Sequence, residues 1–255
     1  LTSVIGGGLL GLVASPAAIA DALPDTVARV KPSIVGVGTY QKARTPPVTF
    51  SGTGFVVGDG LHVLTNAHVL PKAIDIAKFE TLAVFIRENG RETIRAASQL
   101  AVDENHDLAL LKIGGTPLPA LRLGDSTRVR EGESYAFTGY PIGVVLGLHP
   151  VTHRAIVSAI TPVAIPVQHA QQLNSKMLNR LQAPYNVFQL DATAYPGNSG
   201  SPLYDQSTGD VIGIINKVFV QETKENLLQK PSGISYAIPA EYAAALLRRE
   251  RPGSQ

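Results

Sequence analysis

The hexapeptide Gly197-Asn198-Ser199-Gly200-Ser201-Pro202 has the composition of a turn that presents a hydroxyl. A nucleophilic serine needs its Oγ on a tight turn, with backbone N–H groups free to face a developing oxyanion. Flanking glycines permit both. Alone, the hexapeptide could be an ordinary glycine-rich turn. Two other stretches bear on the choice. Thr65-Asn66-Ala67-His68-Val69-Leu70 puts a histidine at the end of a strand-like run, and Asp107-Leu108-Ala109-Leu110-Leu111-Lys112 puts an acid directly before an apolar strand. An imidazole acting as base toward a serine must keep one tautomer. A buried carboxylate on its other nitrogen fixes that tautomer and stabilises the imidazolium. His68, Asp107 and Ser199 follow one another with gaps of 39 and 92 residues, so only a fold can assemble them.

The elements that would do so are strands. Ser33–Tyr40, Gly52–Val57, Val63–Leu70, Leu82–Arg87, Ile94–Val102 and Leu108–Ile113 are short runs rich in Val, Ile, Leu and Thr, punctuated by Gly, Pro, Asn and Asp. A second set follows at Ser134–Gly139, Ala155–Ile160, Val187–Thr193, Pro202–Tyr204, Val211–Val220 and Gly233–Ile238. Gly114–Gly132, with Gly-Gly, Thr-Pro and Leu-Pro, reads as the connection between them. Close strand spacing with no helix between most strands argues for antiparallel barrels over βαβ units. The expected fold is all-β: two six-stranded antiparallel β-barrels, with the active site in the cleft between them and a C-terminal helix. His68 and Asp107 fall in the first strand set and Ser199 in the second. The helix is predicted over Pro239–Arg249, with Glu241 early and Arg248 and Arg249 late, as the helix dipole prefers. A second helix is predicted over Ala170–Leu181, where Leu173, Met177 and Leu181 form an apolar stripe.

Composition narrows the classes. The chain has 255 residues, 44% hydrophobic and 16% charged, which argues against wholesale disorder. At roughly 150 residues per domain the length is ambiguous between one large and two small domains. With no cysteine, a disulfide framework, thiolate zinc sites and a cysteine nucleophile are excluded. A formal net charge of +2 without a dense Lys/Arg block argues against nucleic acid as a partner. Residues 1–20 carry no charge, but Gly6, Gly7, Gly8 and Pro16 make a poor helix, and Ala18-Ile19-Ala20 has the small-x-small pattern of a signal-peptidase site. The expectation is a signal peptide or retained membrane anchor over 1–20, followed by one catalytic unit over 21–250. Barrel 1 would span about 30–115 and barrel 2 about 130–240. Export to the periplasm or extracellular space follows, with membrane association only through residues 1–20.

Five ordered motifs carry a resemblance: Ser51-Gly52-Thr53-Gly54-Phe55-Val56, the stretches around His68 and Asp107, the Ser199 turn, and Gly233-Ile234-Ser235-Tyr236-Ala237-Ile238-Pro239. Together they resemble the trypsin-like serine proteases of chymotrypsin fold, most closely the HtrA/Deg branch, over roughly residues 25–248. The His68, Asp107, Ser199 order is the chymotrypsin order. The resemblance implies a serine endopeptidase acting on protein or peptide substrates. It implies an oxyanion hole from the Gly197 and Ser199 N–H groups, and strand-like pairing of substrate with backbone near Val218–Val220. Thr193, six before the serine, would floor the primary pocket. An aspartate there would select Lys or Arg, so that preference is disfavoured. Val218, Phe219 and Val220 point to apolar walls and small or medium aliphatic residues. Lys217 either points into the pocket and attracts an acidic residue or is a solvated strand lysine.

Departures from the branch are expected too. HtrA/Deg proteins typically carry a PDZ domain after the last helix, and none is expected here. Ser201 replaces the usual glycine, a variant shared with glutamyl endopeptidases. Pro162–Tyr185 is longer than its counterpart and would either cap a barrel edge or act as a lid or oligomer contact. Ile34-Val35-Gly36 resembles the new N-terminus of digestive proteases. That device needs an acid directly before the serine, and Asn198 stands there, so these residues read as first-strand core. His106 is expected to be exposed. His62, His149, His153 and His169 show no metal-ligand spacing, so neither metal nor cofactor is expected. The alternative function is a catalytically silent protease-fold protein that binds peptides or partners. Oligomeric state is not legible.

Overall fold

The computed structural model describes residues 22–88, 90–141, 147–163, 184–216 and 234–250. The expected leader over 1–20, the helix over Ala170–Leu181, and Lys217, Val218, Phe219 and Val220 lie outside the described residues.

Among the described residues, twelve strands form two closed antiparallel barrels. Barrel 1 contains β1 (Ile34–Tyr40), β2 (Val48–Val57), β3 (His62–Asn66), β4 (Thr81–Glu88), β5 (Arg91–Asp103) and β6 (Leu108–Ile113), ordered β1-β2-β3-β6-β5-β4. Barrel 2 contains β7 (Ser134–Gly139), β8 (Val151–Pro162), β9 (Asn186–Asp191), β10 (Pro202–Asp205), β11 (Val211–Asn216) and β12 (Ile234–Pro239), ordered β10-β11-β12-β9-β8-β7. Among the described residues, closure leaves no unpaired edge in either sheet. Among the described residues, no helix is long and apolar enough to cross a membrane.

Alternation along the strands explains why several read as continuous apolar runs. Successive side chains point to opposite faces, and here both faces are buried. In β2, Val56 fills the barrel 1 interior while Phe55 and Val57 face barrel 2. In β11 a bulge opposite Leu203 and Tyr204 resets the alternation, so Ile212 and Ile215 fill barrel 2 while Val211 and Ile214 join the shared interface. That interface includes Phe55, Leu64, Leu108 and Leu110 of barrel 1 with Tyr140, Tyr204, Ile214 and Ile238 of barrel 2. Each such side chain contributes roughly 1.5–3 kcal/mol of burial. The cleft is thus a seam between two apolar walls that cannot slide freely.

Two helices lock the seam from outside. The C-terminal helix α2 (Ala240–Glu250) buries Ala243 and Leu246 in it, with Glu241 in the first turn and Arg248 and Arg249 in the last. The N-terminal helix α1 (Leu23–Val30), which the strand pattern did not announce, buries Leu23 and Val30 in the same cluster. Thr26 Oγ1 on α1 donates to Ser207 O, tying the helix to the β10–β11 turn. Ile34 and Val35 are buried at the start of β1, where Ile34 pairs with Phe55, so Ile34-Val35-Gly36 is first-strand core.

Candidate active site

His68 sits in a 3-10 turn (Ala67–Val69) that breaks out of β3, and Asp107 immediately precedes β6. β3 and β6 pair, with Asn66 opposite Leu108, so the two residues leave adjacent strands at the same end. Asp107 Oδ2 lies 2.6 Å from His68 Nδ1, and Asp107 Oδ1 accepts the His68 backbone N–H at 2.9 Å. Asn216, the last residue of β11, donates from Nδ2 to the same Oδ2 at 2.7 Å. The Asp107 carbonyl accepts from Ala67 N and from Asn66 Nδ2, both at 3.1 Å. This dense bonding holds Asp107 at φ +55°, a left-handed conformation uncommon for residues other than glycine.

The electrostatics follow from that geometry. Burial works to raise the Asp107 carboxyl pKa. The His68 side-chain bond and charge, the His68 amide and Asn216 outweigh it, leaving Asp107 below its ordinary value. A carboxylate that stays ionised is what an imidazole needs in order to gain a proton at its far nitrogen. The His68 side chain is 30% exposed while that of Asp107 is 5% exposed, so Nδ1 faces the protein and the ring reaches the cleft.

Ser199 arrives from barrel 2. Its turn closes through Asn198 N to Tyr195 O and Ser201 N to Asn198 O, both at 3.0 Å. Gly197 at φ +98° and Gly200 at φ +88° take conformations that side chains rarely adopt. A Cβ on Gly200 would lie 1.9 Å from Thr53 O, so only glycine fits. β11 braces the turn, since Ile215 O accepts Gly200 N and Ile215 N donates to Ser201 O, each at 2.9 Å. Barrel 1 grips it from the other side: Thr53 N donates to Ser199 O at 2.8 Å and Thr53 Oγ1 to Gly197 O at 2.7 Å. Among the described residues, neither the Gly197 nor the Ser199 amide donates to another protein group. Nor does a hydrogen bond there join His68 to Ser199, a contact that commonly tightens only with substrate bound.

The structure therefore brings His68 and Asp107 into direct contact and presents Ser199 on a turn gripped by both barrels. Thr193 lies half-buried on the segment leading to Ser199, which Ser235 fixes by accepting Ala194 N at 2.7 Å and donating to Ala192 O at 2.6 Å. Asn198 is buried with its side-chain atoms unpartnered, and Ser201 is buried beside it. Sequence reasoning missed Asn66, Asn216 and the side chain of Thr53. Each is a polar residue inside or ending an apolar strand, a signal that such a position holds a partner. His106 corrects an expectation. It is half-buried, not exposed, stacked on Tyr242 of α2 at 4.0 Å between ring centres and set edge-on to Tyr185 at 4.5 Å. Asp103 holds it through Nδ1 at 2.7 Å. The turn between β5 and β6 releases His106 from strand alternation, so it faces α2 and not solvent.

Comparison with known proteins agrees with this geometry. The family described as "Trypsin-like peptidase domain" matches residues 52–214. A curated relative from Pseudomonas putida (strain W619), named "Probable periplasmic serine endoprotease DegP-like", is 32% identical over 192 residues, covering 75% of this chain and 33% of the relative. The chain thus spans about a third of the length of the curated relatives it matches. A solved structure described as "HtrA-type protease AlgW with tripeptide" superposes with a TM-score of 0.64 at 29% identity, covering 89% of this chain and 62% of its own. The active form of the Rv3671c protease from M. tuberculosis shares the fold, with a TM-score of 0.65 at 21% identity over 99% of this chain and 96% of that one. With its match running from β2 to β11 across both barrels, the chain belongs to the trypsin-like peptidase family.

Proposed function

We propose that this protein is a serine endopeptidase that cleaves protein or peptide substrates through an acyl-enzyme. The observation that carries the reading is the 2.6 Å contact between Asp107 and His68 Nδ1, at the rim of the cleft where barrel 2 presents Ser199. Ser199 Oγ attacks the scissile carbonyl carbon as its proton passes to His68 Nε2. Asp107 remains ionised and stabilises the imidazolium. The Gly197 and Ser199 amides donate to the carbonyl oxygen as it becomes an oxyanion. Collapse breaks the C–N bond, and His68 protonates the departing amine. Water, with His68 as base, then hydrolyses the acyl-enzyme.

The substrate pocket is floored by Thr193 in this reading and walled by Val218, Phe219 and Val220, which favours small or medium aliphatic residues before the cleaved bond. Lys217 is the candidate for attracting an acidic residue instead. The relatives named as periplasmic support export, with residues 1–20 as leader or anchor and 21–250 as the catalytic unit. Quality control of exported proteins is the biological setting the HtrA/Deg likeness favours. Peptide-library cleavage tests this. Cleavage after aliphatic residues, lost in Ser199→Ala and His68→Ala, is expected. Cleavage that persists in Ser199→Ala refutes the mechanism, and a strong Lys/Arg preference refutes the pocket.

A further inference from the structure

Thr53 lies on β2 of barrel 1, is fully buried, and touches the Ser199 turn of barrel 2 with both backbone and side chain. Its hydroxyl has two partners: Tyr140 N at 3.0 Å and Gly197 O at 2.7 Å. An amide N–H can only donate and a carbonyl can only accept. The single hydroxyl proton therefore points at Gly197 O, while the oxygen takes the Tyr140 amide. Thr53 O in turn accepts from Thr65 Oγ1 at 2.7 Å, on the strand that leads to His68.

The held carbonyl matters because of where it sits. Tyr195-Pro196-Gly197-Asn198 is a turn closed by Asn198 N to Tyr195 O, with proline second and glycine third at φ +98°. That is the type II pattern, and it sets which way the Gly197 N–H faces. A glycine imposes almost no steric preference on its own peptides. Its carbonyl belongs to the next peptide, Gly197–Asn198, which links the peptides carrying the Gly197 and Ser199 N–H groups, and two bonds fix that plane: Asn198 N to Tyr195 O within the turn and Thr53 Oγ1 to Gly197 O from barrel 1. Among the described residues, the Gly197 carbonyl has one hydrogen-bond donor, Thr53.

We propose that the Thr53 hydroxyl is a positioning residue for the oxyanion cradle, fixing the Gly197–Asn198 peptide so that the Gly197 and Ser199 amides converge on one point. The inference rests on the reading of Ser199 as nucleophile. Without this hydroxyl the barrels keep the Thr53 N to Ser199 O bond and the apolar seam, while Tyr140 N and Gly197 O each lose a partner. Its loss should therefore show in transition-state stabilisation.

The test compares Thr53→Val, Thr53→Ser and the parent in peptide hydrolysis and in modification by a fluorophosphonate. In that reaction the Ser199 Oγ–P bond forms, the P–F bond breaks, fluoride leaves and the serine proton passes to His68. The phosphonyl oxygen occupies the oxyanion position. Removing one oxyanion donor outright costs about 10²–10³-fold in rate, so misaiming one predicts about a 10–100-fold fall in kcat and in modification rate. KM should move less than about threefold, and Thr53→Ser should restore most of the rate. Rates are taken per fluorophosphonate-titrated site, so a variant that is merely less folded shows a normal kcat. If Thr53→Val does not melt cooperatively, Thr53→Ala takes its place, with the order Ser above Ala expected. Parent-like kcat per site in Thr53→Val or Thr53→Ala, with Ser199→Ala unlabelled, overturns this inference alone. Absence of labelling in the parent overturns it together with the proposed function.

Discussion

Replacing Asn216 by alanine isolates the brace on the candidate catalytic acid. Asn216 is buried at the end of β11, and its Nδ2 is 2.7 Å from the Asp107 oxygen that His68 Nδ1 reaches at 2.6 Å. A hydrogen bond to a charged group contributes about 1.5–3 kcal/mol. For a chain of this size, that corresponds to a fall in Tm of roughly 3–12 °C. The pH dependence has a definite sign. The Asn216 donor favours the Asp107 carboxylate and helps hold its pKa below the ordinary value. Its contribution is therefore full above the unfolded aspartate pKa of about 3.9, and is lost as pH falls through the native value. Urea unfolding of the parent, Asn216→Ala, Asp107→Ala and the double variant at pH 7 should give a coupling of at least about 1 kcal/mol. The parent-to-Asn216→Ala gap should narrow on acidification. Additivity within about 0.5 kcal/mol, or a gap that ignores pH, would refute the argument.

Acid should destabilise the fold through two other carboxylates as well. Glu80 is lowered to about 2 by Thr39, the Asp75 amide and Arg44, and Glu133 to about 2 by Tyr135 and Arg130. Both are depressed in the native state, so their stabilisation is present above about 4.5 and disappears as pH falls toward 2. Acid titration by circular dichroism should show Glu80→Gln with a shallower slope over that window than the parent. Gly200→Ala forces φ +88° on a Cβ aimed at Thr53 O. It should cost at least about 1–2 kcal/mol from the left-handed conformation alone and abolish Ser199 labelling. Stability and labelling close to the parent would refute that steric reading. His106→Ala removes two ring contacts and the Asp103 bond. Thermal melting should show a loss of about 1–3 kcal/mol, aromatic pairs contributing about 0.5–1.5 each. An exposed role would leave Tm unmoved.

The strands of both barrels were legible because β-branched runs and Gly/Pro punctuation survive whatever packs on them. β6 and β7 fall where the pattern places them, at Leu108–Ile113 and Ser134–Gly139. Length was harder to read. β5 runs to 13 residues because Arg91–Thr93 extend the ladder ahead of Ile94, and polar residues such as the exposed Arg91 and Glu92 offer hydropathy no signal. Helix α1 went unread although Pro24 and Asp25 at its start and Arg29 near its end are helix signals, because it has only eight residues and runs straight into the strand-forming stretch that begins at Ser33. At the site, residue type and order singled out His68, Asp107 and Ser199, whose chemistry is in the side chain. The supports were hidden for a physical reason. Thr53 and Asn216 act through contacts between residues 144 and 109 positions apart, which exist only once the barrels meet. His106 was misjudged because strand alternation does not extend through the turn that Asp103 organises.

The central claim is that Ser199 is a nucleophile activated by His68, and site-resolved mass spectrometry after fluorophosphonate treatment tests it most directly. One adduct per chain is expected, on Ser199, absent from Ser199→Ala and slowed by orders of magnitude in His68→Ala. An adduct on another residue, or a Ser199 adduct formed equally fast without His68, would contradict it.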